Sequence, residues 1–229
     1  MIDIDTPEGK WFARLSRELH DRRTGRQGAR KWNRGTLANR RIRPPLDMLS
    51  DYRAGDPPLR ADIHSGWKPY VRQFVRMGRL NQADLIISST GSRLQLRDFR
   101  TAAADDEFGD LIARNIMRAN NLKVKAREVH DLVLTMGDAY AITTPPTGSQ
   151  RHALITEEDP REVITAHDPA TGEYLAALKL FRDEWDSEDV AYLYLPGRIR
   201  RARRKGPSVI HNGPHRFDSK SRAWDDRAD

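Results

Sequence analysis

The sequence predicts an α+β protein in which a helical N-terminal half packs on an antiparallel sheet. Apolar residues recur at helical spacing as far as about residue 136, most regularly in a final run at spacings of 4, 3, 4 and 3. That run consists of Leu122, Ala126, Val129, Val133 and Met136. From about residue 155 onward, short bursts of β-forming residues alternate with turn-rich segments. Helices therefore come first and strands later.

The first element is an N-terminal helix within residues 1–26. Thr6 is a suitable N-cap, and Pro7 fits the first helical position, where its missing N–H is not needed. Phe12 and Leu15 share one face with Trp11 and Leu19, and Gly25 is suited to end the helix. Residues 27–66 are predicted to form a basic loop followed by a short helix near 46–53.

Residues 67–144 are predicted to be mainly helical. A helix over 70–89, broken near Gly78, precedes an alternating segment at 93–99 that favours a strand. A second helix begins near residue 105, and a third ends at Gly137, after which Tyr140 and Ile142 begin a strand. The apolar stripe of the third helix, from Leu122 to Met136, predicts that it is core rather than interface.

Residues 145–229 are predicted to be antiparallel β-structure ending in a polar loop. In the segment 168–172, Pro169 presets φ, Asp168 can cap the turn and Gly172 can adopt a positive φ, so this segment predicts a hairpin. The basic run 198–205 is predicted to be an edge strand or hairpin arm, with Arg198, Arg200, Ala202 and Arg204 on one side.

Composition and charge narrow the class of protein. The chain has 229 residues, no cysteine and a net charge of +7. The lack of cysteine excludes a disulfide scaffold, a thiolate metal site and a cysteine nucleophile. We find no transmembrane or signal segment, which predicts a soluble protein made in a cytoplasm. Residues 151–196 carry 4 basic and 11 acidic side chains between basic ends, an alternation that fits head-to-tail packing of subunits.

Three groups of residues are candidate metal sites, but each has a simpler structural explanation. Asp105, Asp106 and Glu107 could be carboxylate ligands of a nuclease, but they also suit a helix N-terminus. Glu157, Glu158 and Asp159 alternate in direction on a strand, and Gly213 and Pro214 separate His211 from His215. No P-loop or other enzyme signature is present. The sequence predicts neither an enzyme nor a cofactor or metal.

The basic run offers one candidate surface. Its members are Arg198, Arg200, Arg201, Arg203, Arg204 and Lys205. They could form a solvated edge, pair with acidic groups of a neighbouring subunit, or touch DNA phosphates without reading sequence. The segment 22–43, which contains Trp32, carries the same alternatives.

The segment from residue 155 to 205 resembles the portal proteins of tailed bacteriophages. Its "EDPR", "DPATG", "AALKLFRD" and "LYLPGRIRR" stretches follow the order of that family. Further resemblance lies in "DYRAGDPPL" at 51–59, in 84–100, in "ANNL" at 119–122 and in "GDAYAI" at 137–142. Together these cover about residues 6–204.

The resemblance implies a structural protein rather than an enzyme. Portal subunits form a ring, usually of twelve copies, at one vertex of the capsid beside the major capsid protein. Double-stranded DNA passes through the ring during packaging and ejection, and the terminase and the head–tail connector dock on it. The expected location is the virion, after synthesis in the host bacterial cytoplasm.

The chain resembles only the wing-containing N-terminal portion of such a protein. Stem, clip and crown are not recognisable, so we expect a fragment of a longer polypeptide, and channel-lining or terminase-contacting residues cannot be carried over. The alternative is a basic nucleic-acid-binding or metal-dependent nuclease domain.

Overall fold

The computed structural model describes residues 6–25, 44–56, 68–77, 81–99, 110–205, 208 and 225–227. Helices in this part of the chain are α1 (Pro7–Thr24), α2 (Leu46–Ala54), α3 (Lys68–Met77), α4 (Gln82–Gly91), α5 (Leu111–Ala119) and α6 (Leu122–Met136). Strands are β1 (Tyr140–Thr144), β2 (Leu154–Glu158), β3 (Val163–His167), β4 (Tyr174–Asp183), β5 (Glu188–Leu195), β6 (Arg198–Lys205) and β7 (Asp225–Arg227). The α+β class is confirmed.

The chain divides into two compact units. The first combines residues 1–47 with 161–229, and the second is the continuous segment 48–160. This grouping differs from the sequential division into 1–26, 27–66, 67–144 and 145–229. The reason is that α1 packs with strands that begin more than 130 residues after its end.

The first unit is a five-stranded antiparallel sheet, in the order β3-β4-β5-β6-β7, with α1 against one face. Residues on alternate positions of a strand point to the same side of the sheet. The positions that face α1 are apolar, so helix and sheet bury each other. The resulting core consists of Phe12, Leu15, Leu19, Ile164, Ala176, Leu178, Leu180, Ala191, Leu193 and Ala202.

Local sequence signals set the limits of these elements as predicted. The Thr6 side chain accepts a hydrogen bond from the Gly9 N–H at 3.1 Å, and Gly25 ends α1 with a φ of 68°. In the β3–β4 hairpin, the Asp168 side chain accepts from the Ala170 N–H at 2.8 Å, and Gly172 has a φ of 74°. The predicted hairpin at 168–172 is therefore confirmed.

The second unit contains α3 to α6 and the antiparallel hairpin β1–β2. Arg53 of α2 connects α4 and α6 through two ion pairs. One is with Asp84 of α4, and the other is with Asp131 of α6 at 3.0 Å. The short helix predicted near 46–53 is confirmed. So is the separation of α3 from α4, although Gly78 lies outside the described residues.

Three predictions from the sequence need correction, and a fourth concerns residues outside the described part of the chain. Residues 94–99 form no strand. On α6 the apolar stripe is only partly core, because Met136 is buried while Val133 is 43% exposed. Strand β6 is a hairpin arm with β5, one of the two predicted alternatives, but it is not an edge at residues 201–203, where it also pairs with β7. The helix start predicted at Asp105–Glu107 lies outside the described residues, and α5 instead begins after the N-cap Asp110.

Among the described residues, no helix is long and apolar enough to cross a membrane.

Truncation of the sheet's central leucine tests this core. Leu178 is fully buried under α1, so we expect Leu178→Ala to lower the free energy of unfolding by about 2–5 kcal/mol. Leu175→Ala on the same strand, at a position that is 38% exposed, is the matched control and should cost less than about 1 kcal/mol. Urea unfolding followed by circular dichroism measures both. Equal losses in the two variants would contradict the assignment of the core face.

Candidate functional site

The basic strand β6 lies in the sheet with one face against α1. Ala202 belongs to the buried core, which places the arginines two residues to either side on the same face as α1. This agrees with the predicted alternation of Arg198, Arg200, Ala202 and Arg204. The antiparallel partner of β6 is β5, joined to it by the two-residue turn at 196–197.

At the start of β6, two arginines hold the Glu8 carboxylate in the first turn of α1. Arg198 donates a hydrogen bond to Glu8 Oε1, and Arg200 Nε lies 2.9 Å from Oε2. The hydrogen bond from Arg198 does most to lower the pKa of Glu8; burial opposes it, and with the further contributions of Arg200 the net effect is a lowered pKa. The position also favours a carboxylate because helix N-termini carry partial positive charge.

At the other end of β6, the cations meet the acidic start of β5. Asp189 is completely buried; its Oδ1 lies 3.0 Å from Arg182 Nη1 of β4, and its Oδ2 lies 3.9 Å from Arg204 Nη1. On the opposite face, Glu188 lies 3.4 Å from Arg203 and 3.3 Å from Lys205. Opposite charges therefore stand side by side on three neighbouring strands.

The remaining arginine of the strand lies on an aromatic ring. The Arg201 guanidinium is 5.4 Å from the centroid of Tyr192, whose ring stacks with Phe181 at 6.1 Å. The Lys179 ammonium lies 5.0 Å from the Phe181 ring on the same face of the sheet. Each contact is a cation–π interaction, a stabilisation that also occurs at nucleic-acid interfaces.

Each of the six basic residues proposed from the sequence thus has a partner within the chain. Phosphates approaching β6 would have to compete with carboxylates that already hold most of these cations. The acidic partners Glu8, Glu188 and Asp189 were not identified from the sequence. Glu188 and Asp189 could have been predicted from the sequence. A two-residue turn at 196–197 places Glu188 opposite Lys205 and Asp189 opposite Arg204.

The carboxylates considered as metal ligands are not brought together. Glu157 lies 3.6 Å from the Lys125 ammonium, whereas Glu158 accepts a hydrogen bond from the Thr156 hydroxyl. No group of three or more potential ligands occurs in the part of the chain that the structure describes. Asp105, Asp106, Glu107, His211 and His215 lie outside it.

A carboxyl pair joins α6 to β2 at the same place. A hydrogen bond with Glu157 raises the pKa of Glu128, assisted by burial and by the charge of Glu157. Burial disfavours the charged form of Glu157 and by itself would raise the pKa of this group. Hydrogen bonds from its own backbone N–H and from Glu128, together with the nearby charge of Lys125, outweigh burial, so the pKa of Glu157 lies below its ordinary value. Glu128 is thus the member of the pair that more readily carries the proton.

The second unit contains a basic cavity that the sequence analysis did not identify. Its volume is about 500 Å³. The lining residues are Arg97, Asp98, Arg114, Met117, Arg118, Asn121, Lys123 and Val124. They come from the irregular segment after α4, from α5 and from the start of α6, and only folding brings these three segments together.

Comparisons with known proteins do not assign the chain to a family. No family model matches it, and the search of curated proteins finds no match.

Replacement of the buried carboxylate tests the ion pairs at the end of β6. Asp189→Asn removes the charge that two partly buried arginines share, so we expect a loss of about 3–5 kcal/mol in the free energy of unfolding. Asp186→Asn is the matched control, because Asp186 is 60% exposed and its pairing with Arg203 should contribute about 1 kcal/mol or less. Denaturant unfolding at neutral pH gives both values. A cost for Asp189→Asn no larger than the control's would show that the burial of this pair is misassigned.

The lowered pKa of Glu8 predicts a pH-dependent contribution. A carboxyl group whose folded pKa is depressed stabilises the fold above its unfolded pKa of about 4.5 and loses this effect as the pH falls through the folded value. We expect Glu8→Gln to lower stability by at most about 1 kcal/mol at pH 7, because the pair is partly exposed. The difference from wild type should shrink as the pH falls below 4.5 and through the folded pKa of Glu8.

Thermal unfolding from pH 7 to pH 2.5 measures this difference. Glu18→Gln is the control, since Glu18 pairs with Arg14 on the exposed side of the same helix. A difference between wild type and Glu8→Gln that persists unchanged at pH 2.5 would contradict the pairing with Arg198 and Arg200.

Proposed function

We propose that the chain is the wing-containing portion of a bacteriophage portal subunit, a structural protein that assembles into a ring at one capsid vertex. The order of the family-like segments along residues 6–204 supports this reading. So do the hairpins at the "DPATG" and "LYLPGRI" segments, which the fold contains. The structural observation that carries the proposal is the exposed apolar surface of the second unit.

Helix α3 presents the clearest part of that surface. Tyr70, Phe74 and Met77 are 68%, 71% and 82% exposed, and their spacing of four and three residues places them on one face. Tyrosine, phenylalanine and methionine are enriched in the centres of protein–protein interfaces. Such a stripe is costly for a monomer in water and stabilising once it is covered.

Other helices of the unit continue the pattern. Leu85 and Ile86 of α4 are 66% and 64% exposed, and Leu111 and Ile112 of α5 are 66% and 69% exposed. In contrast, among the large apolar side chains of α3 to α6 whose burial the structure describes, only Met117 and Met136 are buried. A subunit that meets identical neighbours through two different surfaces, as in a ring, leaves such faces open until it assembles.

In this role the basic strand β6 is chiefly structural. Its cations stabilise the sheet through Glu8, Glu188 and Asp189, which leaves the apolar faces of the second unit as the assembly surface. Contact with DNA is non-specific, because an extended strand without a recognition helix has no means of reading base edges. Terminase, the head–tail connector and the major capsid protein are the partners that follow from a portal ring.

The test combines the mass of the purified chain in solution with negative-stain imaging. We expect rings of about twelve copies for the wild type. Phe74→Asp should lower the assembled fraction at least tenfold, because burying an unpaired carboxylate costs more than the ~1.4 kcal/mol that corresponds to a factor of ten. Far-ultraviolet circular dichroism should be unchanged.

Ser149→Asp is the matched control, since it places the same charge on an exposed turn of the same unit and should leave assembly unaffected. A wild-type chain that stays monomeric at high concentration would count against the ring. A monomer that also binds DNA strongly would favour the alternative, a basic nucleic-acid-binding domain.

A further inference from the structure

The cavity of the second unit combines unneutralised positive charge with an apolar wall. Four basic side chains line it, and Asp98 is the one acidic residue among them. The described lining residues therefore carry a net charge of about +3 around a volume of about 500 Å³. Charges of one sign held this close repel each other, and an anion placed between them removes that repulsion.

Among the described lining residues, Asp98 is the one that carries a carboxylate, and it is already engaged. Arg114 Nη2 lies 3.0 Å from Asp98 Oδ2, and the Phe99 N–H donates to Oδ1 at 2.9 Å. The hydrogen bond from Phe99 does most to lower the pKa of Asp98, and Arg114 and Lys123 lower it further. Asp98 thus stays ionised and pairs with Arg114, and its single charge balances no more than one of the four basic charges.

Three cations remain available to a ligand. Within the part of the chain that the structure describes, Arg97, Arg118 and Lys123 form no ion pair. Arg118 lies one helical turn after Arg114 on α5, so the two guanidinium groups lie on the same side of that helix. Arginine suits phosphate because its planar guanidinium donates two parallel hydrogen bonds to two oxygens.

The backbone at the cavity adds to this arrangement. Asn121 adopts a left-handed conformation with a φ of 51°, and its side chain makes no capping hydrogen bond at the start of α6. Asparagine adopts this conformation more readily than most residues other than glycine, as suits the tight turn between α5 and α6. Because the Asn121 side chain is not used as a cap and lines the cavity, its amide can donate a hydrogen bond to a ligand there.

The shape of the cavity favours a small molecule. Its volume lies within the range of about 300–1,000 Å³ that is usual for ligand sites. Met117 is buried in the wall, and Val124, which is 61% exposed, borders it. These two residues offer an apolar contact beside the cations, which suits a ligand with a charged end and a flat or apolar end.

We propose that this cavity binds a phosphate-bearing small molecule of nucleotide size. Arg97, Arg118 and Lys123 hold the phosphates, Arg114 is positioned by Asp98, and Met117 and Val124 contact the uncharged end of the ligand. The site lies entirely within residues 48–160 and does not depend on ring assembly.

Isothermal titration calorimetry with ATP, pyrophosphate and adenosine, each without metal, tests the proposal on the full chain. We expect ATP to bind more tightly than pyrophosphate and adenosine to bind at least tenfold more weakly than ATP. The double variant R118S/K123S should lose at least tenfold in affinity for ATP. Affinity in the wild type should fall as salt rises from 50 to 200 mM.

Arg127→Ser is the matched control for a single lost charge. Arg127 is exposed on α6 and lies outside the cavity lining, so Arg127→Ser should change ATP affinity by less than twofold. Circular dichroism checks the fold, and K123S alone replaces the double variant if the latter loses helicity. Equal losses in K123S and R127S, or equal binding of ATP and adenosine, would overturn the proposal. Binding of duplex DNA but not of ATP through the same residues would also overturn it.

Discussion

Helix α1 and the inner face of the sheet bury each other's apolar side chains, and the arrangement of the first unit depends on that contact. Phe12, Leu15 and Leu19 lie on leucines of β4 and β5. A sheet exposed on this face would leave three fully buried leucines in water, at a cost of about 1.5–3 kcal/mol each. Within that unit, β3 and β4 are the strands against which the helix makes its main contacts.

The same packing determines on which face of the sheet each basic side chain of β6 lies. Because Ala202 is held in the core, Arg200 and Arg204 must lie on the helix side of β6, where Glu8 and Asp189 meet them. The most basic run of the sequence is therefore largely neutralised within its own unit. In the second unit, by contrast, Arg97, Arg118 and Lys123 form no ion pair with any described residue, and they border a cavity whose basic residues are scattered along the chain.

Local signals predicted most of the elements, because they need only neighbouring residues. The caps at Thr6 and Gly25 and the turn at Asp168–Gly172 belong to this group. The segment 94–99 alternates like a strand but has no partner to pair with, and a strand exists only through its neighbours. The ion pair between Glu8 and Arg198 and the basic cavity could not be predicted for the same reason. Each joins distant segments, and periodicity carries no information about which segments meet.

The distance along the chain between α1 and its sheet has a consequence for synthesis. Between Thr24 and Lys205 the ribosome adds about 180 residues, which takes roughly 10–40 s at about 5–20 residues per second. An isolated helix of this length is only marginally stable in water, so the amphipathic α1 emerges well before its binding surface exists. The continuous second unit can form during that interval. The apolar stripe of α1 thus stays uncovered for many seconds, until the strands that bury it have been made.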